Sequence, residues 1–276
     1  MSRLFVTGLA GYLGRAVAHA ARAAGWEVAG SIHERPADRD AEAYRLDVRD
    51  SAAVLDAVKT ARSDAVIHTA YRRNGDEAGA VNADGAGNVA QAAHDVGARL
   101  VHVSSDVIFR GNPGRPLRED DPPDPLTDYG VTKASAEATV AELDPAAVLV
   151  RTSLIYGGDG SSDHERMAID AAGGLIDATF FTDEYRCPVL ASELASALVE
   201  LAGRPDVNGP LHVAGADSLN RLEFARLVAS HAGRDPNRLR GGEGPADRPK
   251  DLTLDCSRAR ELLSTAPRGA RAVLGG

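Results

Sequence analysis

A doubly wound α/β fold, with helices on both faces of a parallel sheet, is what this sequence predicts. Short apolar runs alternate with Ala-rich helical stretches through the first two-thirds of the chain. The runs are apolar throughout rather than alternating with polar residues, the mark of strands covered on both faces. A glycine-spaced turn, VTGLAGYLG, falls between the first run and the first helical stretch.

In order, residues 3–7 read as a strand, 13–24 as a helix and 27–32 as the next strand. Residues 51–61 are helical, with Asp50 or Ser51 placed to cap the first turn. A strand at 65–68, a helix at 78–96, a strand at 100–103, a helix at 129–142 and a strand at 147–152 follow. Beyond Thr152 the pattern loosens, and 156–183 carries Gly pairs with few periodic signals. A helix at 193–201, a strand at 210–214 and a helix at 222–232 are clear, and 234–250, rich in Gly, Pro and Arg, reads as a loop. The expected plan is a nucleotide-binding core of 1–155 and 189–215, with a small lobe built from 156–188 and 216–276.

The length of 276 residues suits one large core with such a lobe. A net charge of −9 without a long basic tract argues against nucleic-acid and anionic-membrane partners. Cys187 and Cys256 stand too far apart for a disulfide framework or a Cys-rich zinc motif. The N-terminus runs into a strand without a signal-peptide pattern, and no apolar run is long enough to span a bilayer, so a cytoplasmic protein is expected. No metal site is expected: His164 and Glu165 lack a partner cluster and read as surface, while His68 and His102 read as core histidines.

The turn carries Gly8, Gly11 and Gly14. Glycines at this spacing let the backbone bend tightly and approach a pyrophosphate, and the helix that follows Tyr12, from Leu13 on, aims free N–H groups at it. This is the Rossmann-type arrangement for a dinucleotide. An NAD site usually ends the second strand with an acid that holds the ribose 2′-hydroxyl. Here Ser31, Ile32 and His33 end it, with Arg35 just beyond. Ser31, His33 and Arg35 suit a 2′-phosphate, which favours NADP(H) over NAD(H), although Glu34 offers an acid nearby. Asp47 and Val48 are placed to line the adenine side, and Asp47 also fits a plain helix-entry acid.

LVHVSSDVIFRG puts Ser105 at the carboxyl end of a central strand, where open α/β sheets bind ligands. Tyr129 then opens a helix, and Lys133 follows one turn later on the same face. A ketone reduced by hydride needs a proton at oxygen. Tyrosine can donate it, and a nearby ammonium stabilises the phenolate that remains. Ser105 can orient the same carbonyl.

With these motifs, with HTAY and AVNADGAGNVAQAA, and with RTSLIYG at 151–157, the chain resembles an extended short-chain dehydrogenase/reductase over nearly its whole length. It is most similar to the dTDP-4-dehydrorhamnose reductase group, through SSDVIF, DPPDPL and RPKDLTLDCSRARELL. The resemblance implies catalysis by Ser105, Tyr129 and Lys133. It implies cofactor contacts from Thr69, Ala70, Tyr71, Ser104 and Thr152, a nucleotide-sugar substrate, and a homodimer formed through the helices at 78–96 and 129–142. Asp106 and Val107 are expected to line the substrate pocket. Arg186 and Arg248 would suit a diphosphate, if they are not simply surface or ion-pair residues.

Val107 departs from the group. A 4,6-dehydratase would carry Asp-Glu after the catalytic hydroxyl, and the related reductases carry a tyrosine there. The expectation is an NADPH-dependent reductase of a nucleotide-linked 4-keto-6-deoxy sugar. An epimerase, a reductase of a non-sugar ketone and a non-catalytic NADP-binding regulatory subunit remain alternatives.

Overall fold

Leu4 and Val6 turn to one side of the first strand and Phe5 to the other, and all three are buried. A strand apolar on both faces needs a layer on each side. The structure, a computed structural model that describes residues 2–36, 41–112 and 114–275, supplies both layers.

The chain begins β1 (Arg3–Thr7), α1 (Tyr12–Ala23), β2 (Glu27–Ile32), β3 (Glu42–Arg45), α2 (Ser51–Thr60), β4 (Ala65–His68), α3 (Gly85–Val96) and β5 (Arg99–Ser105). It continues α4 (Asp128–Leu143), β6 (Val148–Thr152), β7 (Ile155–Tyr156), α5 (Asp163–Gly173), β8 (Thr179–Phe181), β9 (Tyr185–Arg186), β10 (Val189–Leu190) and α6 (Ala191–Ala202). Last come β11 (Gly209–His212), β12 (Leu219–Asn220), α7 (Arg221–His231), β13 (Arg240–Gly242), α8 (Ser257–Leu262) and α9 (Ala270–Leu274).

Seven strands pair in parallel in the order β3-β2-β1-β4-β5-β6-β11. The winding reverses between β1 and β4, so a crevice opens at their carboxyl ends. Residues of α1 and α6 pack with Leu4, Val6, Ile67 and Val101 on one face. Residues of α2, α3 and α4 pack with Phe5, Val66, Leu100 and Leu149 on the other. Asp50 caps α2, its side chain accepting the Ala53 N–H at 3.0 Å.

A further apolar cluster joins Leu154, Tyr156, Phe180, Leu219 and Phe224, with Tyr156 and Phe224 edge to face at 5.5 Å between ring centroids. It gathers α5, β8, β12, α7 and α9 beyond the sheet's carboxyl edge. No helix among the described residues is long and apolar enough to cross a membrane.

Three stretches depart from the sequence expectation. The strand at Glu42–Arg45 was not expected. It is an edge strand whose residues are mostly exposed, so it carries no apolar signal and is held by backbone pairing to β2. The stretch at 234–250 is not all loop, because β13 pairs with β8 within it. Helix α5 lies in the segment that looked aperiodic, and His164 and Glu165 are not surface residues.

Glu165 is buried and completes a capping box with Ser162, a Ser-x-x-Glu signal present in the sequence. Its carboxylate accepts the N–H groups of Gly157, Gly158, Gly160 and Ser162 at 2.9, 2.8, 3.3 and 3.0 Å. One side chain therefore organises the whole turn between β7 and α5. Glu165→Ala should lower the unfolding free energy by about 2–4 kcal/mol, since it orphans several buried donors at once. Chemical denaturation of the two proteins measures the difference.

Candidate active site

The glycine turn sits at the crevice. Gly8 has φ of +69°, which favours glycine, and a Cβ on Gly14 would lie 2.2 Å from the Gly8 carbonyl oxygen. Side chains are thus excluded where α1 meets β1. Gly11 precedes α1 without a side-chain cap, and the first turn holds no acid. These features fit a dinucleotide pyrophosphate, which Gly8, Gly11, Tyr12, Leu13 and Gly14 would hold through backbone N–H groups. The Tyr12 hydroxyl accepts a hydrogen bond from Ser161 at 3.1 Å, tying this turn to the loop before α5.

Ser31 is buried and its Oγ accepts the Gly8 N–H at 3.4 Å, so it braces the turn. His33 and Arg35 are exposed beyond it or at its edge, and Arg45 donates to the His33 carbonyl. The Glu34 carboxylate is 3.9 Å from both Arg72 Nη2 and His33 Nε2. Asp47 is chelated by Arg49, which holds its pKa down at about 2. Val48 is buried, and its carbonyl accepts from Asn88 at 3.0 Å.

Thr7 is a hub under the crevice. Its Oγ1 accepts the N–H groups of Thr69 at 3.1 Å and Ala70 at 3.2 Å, and lies 2.7 Å from His68 Nδ1. A hydroxyl that takes two N–H bonds gives its own proton to the third partner, so His68 Nδ1 is the acceptor and Nε2 carries the hydrogen. The loop after β4 is pinned again by Asn82. Asn82 exchanges bonds with the Arg72 backbone and donates to Thr132 Oγ1 on α4 at 2.9 Å. This places the Tyr71 ring 6.0 Å from that of Tyr129. Asn82 lies in a π-helical turn, Ala80–Asp84, and sequence reasoning did not single it out.

Ser105, Tyr129 and Lys133 occupy one edge. Ser105 ends β5 and caps the one-turn helix at Asp106–Ile108. Helix α4 starts hard against that segment, because a Cβ on Gly130 would lie 2.3 Å from the Val107 carbonyl oxygen. Lys133 is buried and its Nζ donates to the Val103 carbonyl at 2.6 Å. Glu137, one turn on, is locked in a buried ion pair with Arg151 at 2.9 Å. Ser104 and Thr152 are buried on neighbouring strands, with hydroxyls that have no protein partner.

Burial pushes the Tyr129 phenol well up from its ordinary value; Tyr71 and Asp106 add to the shift and Arg73 opposes it. Burial also brings Lys133 down to about 8. Lys133 Nζ is engaged with the strand carbonyl, and the cation that opposes the rise of the phenol is Arg73. The tyrosine is held as a protonated donor.

Arg186 and Arg248 are largely consumed by the protein. Arg186 is buried and donates to the carbonyls of Tyr185, Lys250 and Pro249 at 2.7, 3.2 and 3.1 Å. Arg248 pairs with the fully buried Glu184 and lies 5.5 Å from the centre of the Phe181 ring. Beside them stands Arg221, which sequence reasoning missed. Its Nη2 is 3.0 Å from His164 Nδ1. Burial lowers Arg221 to about 10, and Arg186, Arg248 and Arg73 push the same way. Burial, then Arg221 and Arg73, bring His164 down to about 3. Among the described residues, neither Arg73 nor Arg221 has a carboxylate at ion-pair distance, whereas Arg186 and Arg248 do. The Asn220-x-x-Glu223 capping box marks where α7 starts, but not where the Arg221 side chain turns.

A seven-stranded parallel sheet, a glycine turn at its switch point and a Ser-Tyr-Lys set on the adjacent edge define an extended short-chain dehydrogenase/reductase. Residues 2–275 match the family described as RmlD substrate binding domain, and the chain belongs to that family. It is 32% identical over 280 residues to the dTDP-4-dehydrorhamnose reductase of Mycolicibacterium smegmatis, covering 99% of this chain and 84% of the relative. It is 30% identical to methionine adenosyltransferase 2 subunit beta of Bos taurus, covering 94% and 82%. Its fold is similar to that of dTDP-4-dehydrorhamnose reductase from Bacillus anthracis in complex with NADP, with a TM-score of 0.85, 25% identity, and coverage of 99% and 96%. The Bordetella bronchiseptica enzyme WbmH in complex with NAD+ shares the fold at a TM-score of 0.85 and 21% identity, covering 99% and 96%.

Behind the site, His68 and His102 stack at 5.3 Å between ring centroids. Burial lowers both, His68 to about 3 and His102 well below its ordinary value. The unfolded chain therefore binds protons that the fold refuses. Stability should be full above about pH 6.5 and fall as pH drops toward about 3. Neither ring nitrogen of His102 has a protein partner, so His102→Leu should leave neutral-pH stability unchanged or raised and make the acid loss shallower. Denaturant titrations across pH measure both.

Proposed function

We propose that this protein is an NADPH-dependent reductase of a nucleotide-linked 4-keto-6-deoxy sugar. The observation that carries the reading is Ser105 at the end of β5, facing an α4 that begins with Tyr129 and Lys133, beside the glycine turn. The named activity of the 32% relative supports the substrate class. When bound, NADPH supplies a hydride to the keto carbon. Tyr129 gives its proton to the carbonyl oxygen, Ser105 orients that oxygen, and Lys133 keeps a positive charge behind the phenolate that forms. Arg73, Arg221 and His164 are the group that suits the diphosphate, in place of Arg186 and Arg248, which serve as its supporting wall.

Preference for NADPH over NADH rests on Ser31, His33 and Arg35, joined by Arg45. Residues 156–188 and 216–276 form the substrate lobe in this reading. A cytoplasmic homodimer through α3 and α4 is part of it, with Val131 of α4 exposed for such a contact. A second reading, an NADP-binding subunit without turnover, draws on the 30% similarity to an adenosyltransferase subunit.

NADPH oxidation with a dTDP-4-keto-6-deoxy sugar, run beside NADH, tests the proposal. Turnover with lower KM for NADPH is expected. Tight NADPH binding without turnover on any ketone would select the subunit reading. Tyr129→Phe should lower kcat by about 10²–10⁴-fold while calorimetry finds NADPH affinity unchanged. Arg221→Gln should raise KM for the nucleotide-sugar by about tenfold or more with little change in kcat, the signature of lost uniform binding. An unchanged KM would remove Arg221 from the diphosphate site.

A further inference from the structure

Ser105 has one proton to give, and its surroundings claim it. The Val107 N–H points at Ser105 Oγ from 3.5 Å, and Asp106 Oδ1 lies 3.1 Å away. With Asp106 ionised, the hydroxyl donates to it and turns lone pairs to the cleft, so a carbonyl oxygen arriving there must draw the proton away from a buried carboxylate. The far side of Asp106 is fixed as well. Ser153 Oγ accepts the Cys187 N–H at 3.1 Å and therefore sends its own proton to Asp106 Oδ2 at 2.6 Å.

We propose that Asp106 works as a neutral carboxylic acid, donating to Ser105 Oγ so that Ser105 in turn donates to the substrate carbonyl. The inference rests on the reductase reading of the site. Asp106 is then a positioning residue. It keeps its proton throughout, no bond to it is made or broken, and the proton that reaches the product comes from Tyr129.

The groups around Asp106 agree with this assignment. It is 3% exposed. The nearest cation, Arg186, comes from β9 and holds Nε at 3.9 Å, too long for a hydrogen bond, with its Nη nitrogens committed to backbone carbonyls. That cation also faces Glu184 at 3.8 Å. Cys187, beside it, is a thiol pushed up to about 12 and carries no charge. From α4, Tyr129 faces the same carboxyl, and a negative Asp106 makes its phenolate harder to form. From the segment after β6, Ser153 supplies only a hydroxyl. Burial, partly opposed by Arg186, Ser153, Ser105 and the Val107 N–H, raises the Asp106 pKa. A buried carboxylate lacking a bonded cation is disfavoured against its neutral acid. Activity should therefore be present below the Asp106 pKa and be lost as pH rises through it.

The test compares Asp106→Asn, Asp106→Ala and Ser105→Ala. An asparagine amide can donate to Ser105 and accept from Ser153, as the neutral acid does. Asp106→Asn should keep kcat within about threefold of wild type at low pH and lose the fall at higher pH. Asp106→Ala should lose as much as Ser105→Ala, and the double variant no more than Ser105→Ala alone. The relay is overturned if Asp106→Asn, folded and binding NADPH, loses as much turnover as Ser105→Ala, or if its pH profile matches wild type. Infrared difference spectra of the NADPH complexes, wild type minus Asp106→Asn, read the proton without substrate. A carboxylic-acid carbonyl band should persist at a pH where an ordinary Asp is already ionised, and its absence there overturns the proposal. An acid band without wild-type turnover would remove the reductase reading and leave the Asp106 proton assigned.

Discussion

A buried ammonium constrains the centre of this molecule. Lys133 Nζ sits under α4 with a strand carbonyl at 2.6 Å as its partner. Burial already disfavours its charge, so the groups packed behind it must not add to the penalty. The neighbours in register on β4 and β5 are His68 and His102, and both are driven neutral. The neutral His68 fixes its tautomer through Thr7, and Thr7 also gathers the Thr69 and Ala70 N–H groups. The charge beside the tyrosine, the strand ends and the loop carrying Tyr71 and Arg73 thus share one hydrogen-bonded base. On the other side, Glu137 and Arg151 neutralise each other within α4 and β6, which holds the helix in register without a net charge near the lysine.

The parts of this arrangement that were legible in sequence are those set by local rules. Leu4, Phe5 and Val6 announce a two-faced strand, Gly8 and Gly14 a turn where no side chain fits, and Tyr129 with Lys133 a shared helix face. The parts that were not legible depend on where long side chains go after the backbone is placed. Arg186 and Arg248 looked available until the fold brought Glu184 and three carbonyls to them. Arg221 was not singled out at all, because its partner, His164, comes from another helix. Helix α5 had a readable Ser162-x-x-Glu165 start, but its weakly apolar face hid the rest. Strand β3 had nothing to read, because an edge strand mostly open to solvent needs only its backbone.

The same placement gathers four arginines in an acidic protein. The net charge is −9, yet Arg186, Arg248 and Arg73 lie close enough to Arg221 to add to the lowering that its burial causes. Glu184, wholly buried, offsets two of them and leaves the charge of the others to the cleft. An anionic ligand held there would relieve the repulsion among these arginines, which is the physical basis of the diphosphate proposal.

At the other end burial keeps the proton on Tyr129, so the free site holds an acid rather than a base. An oxidation would need that phenol already ionised, whereas a reduction needs it intact until oxygen becomes negative. Arg73 lies where it moderates the cost of the phenolate without abolishing the proton beforehand. Lys133, titrating near 8, keeps much of its charge at neutral pH. A site with its tyrosine protonated and its cations held slightly back is arranged to donate, and the burial that made Lys133 costly to keep is the same burial that keeps the proton in place.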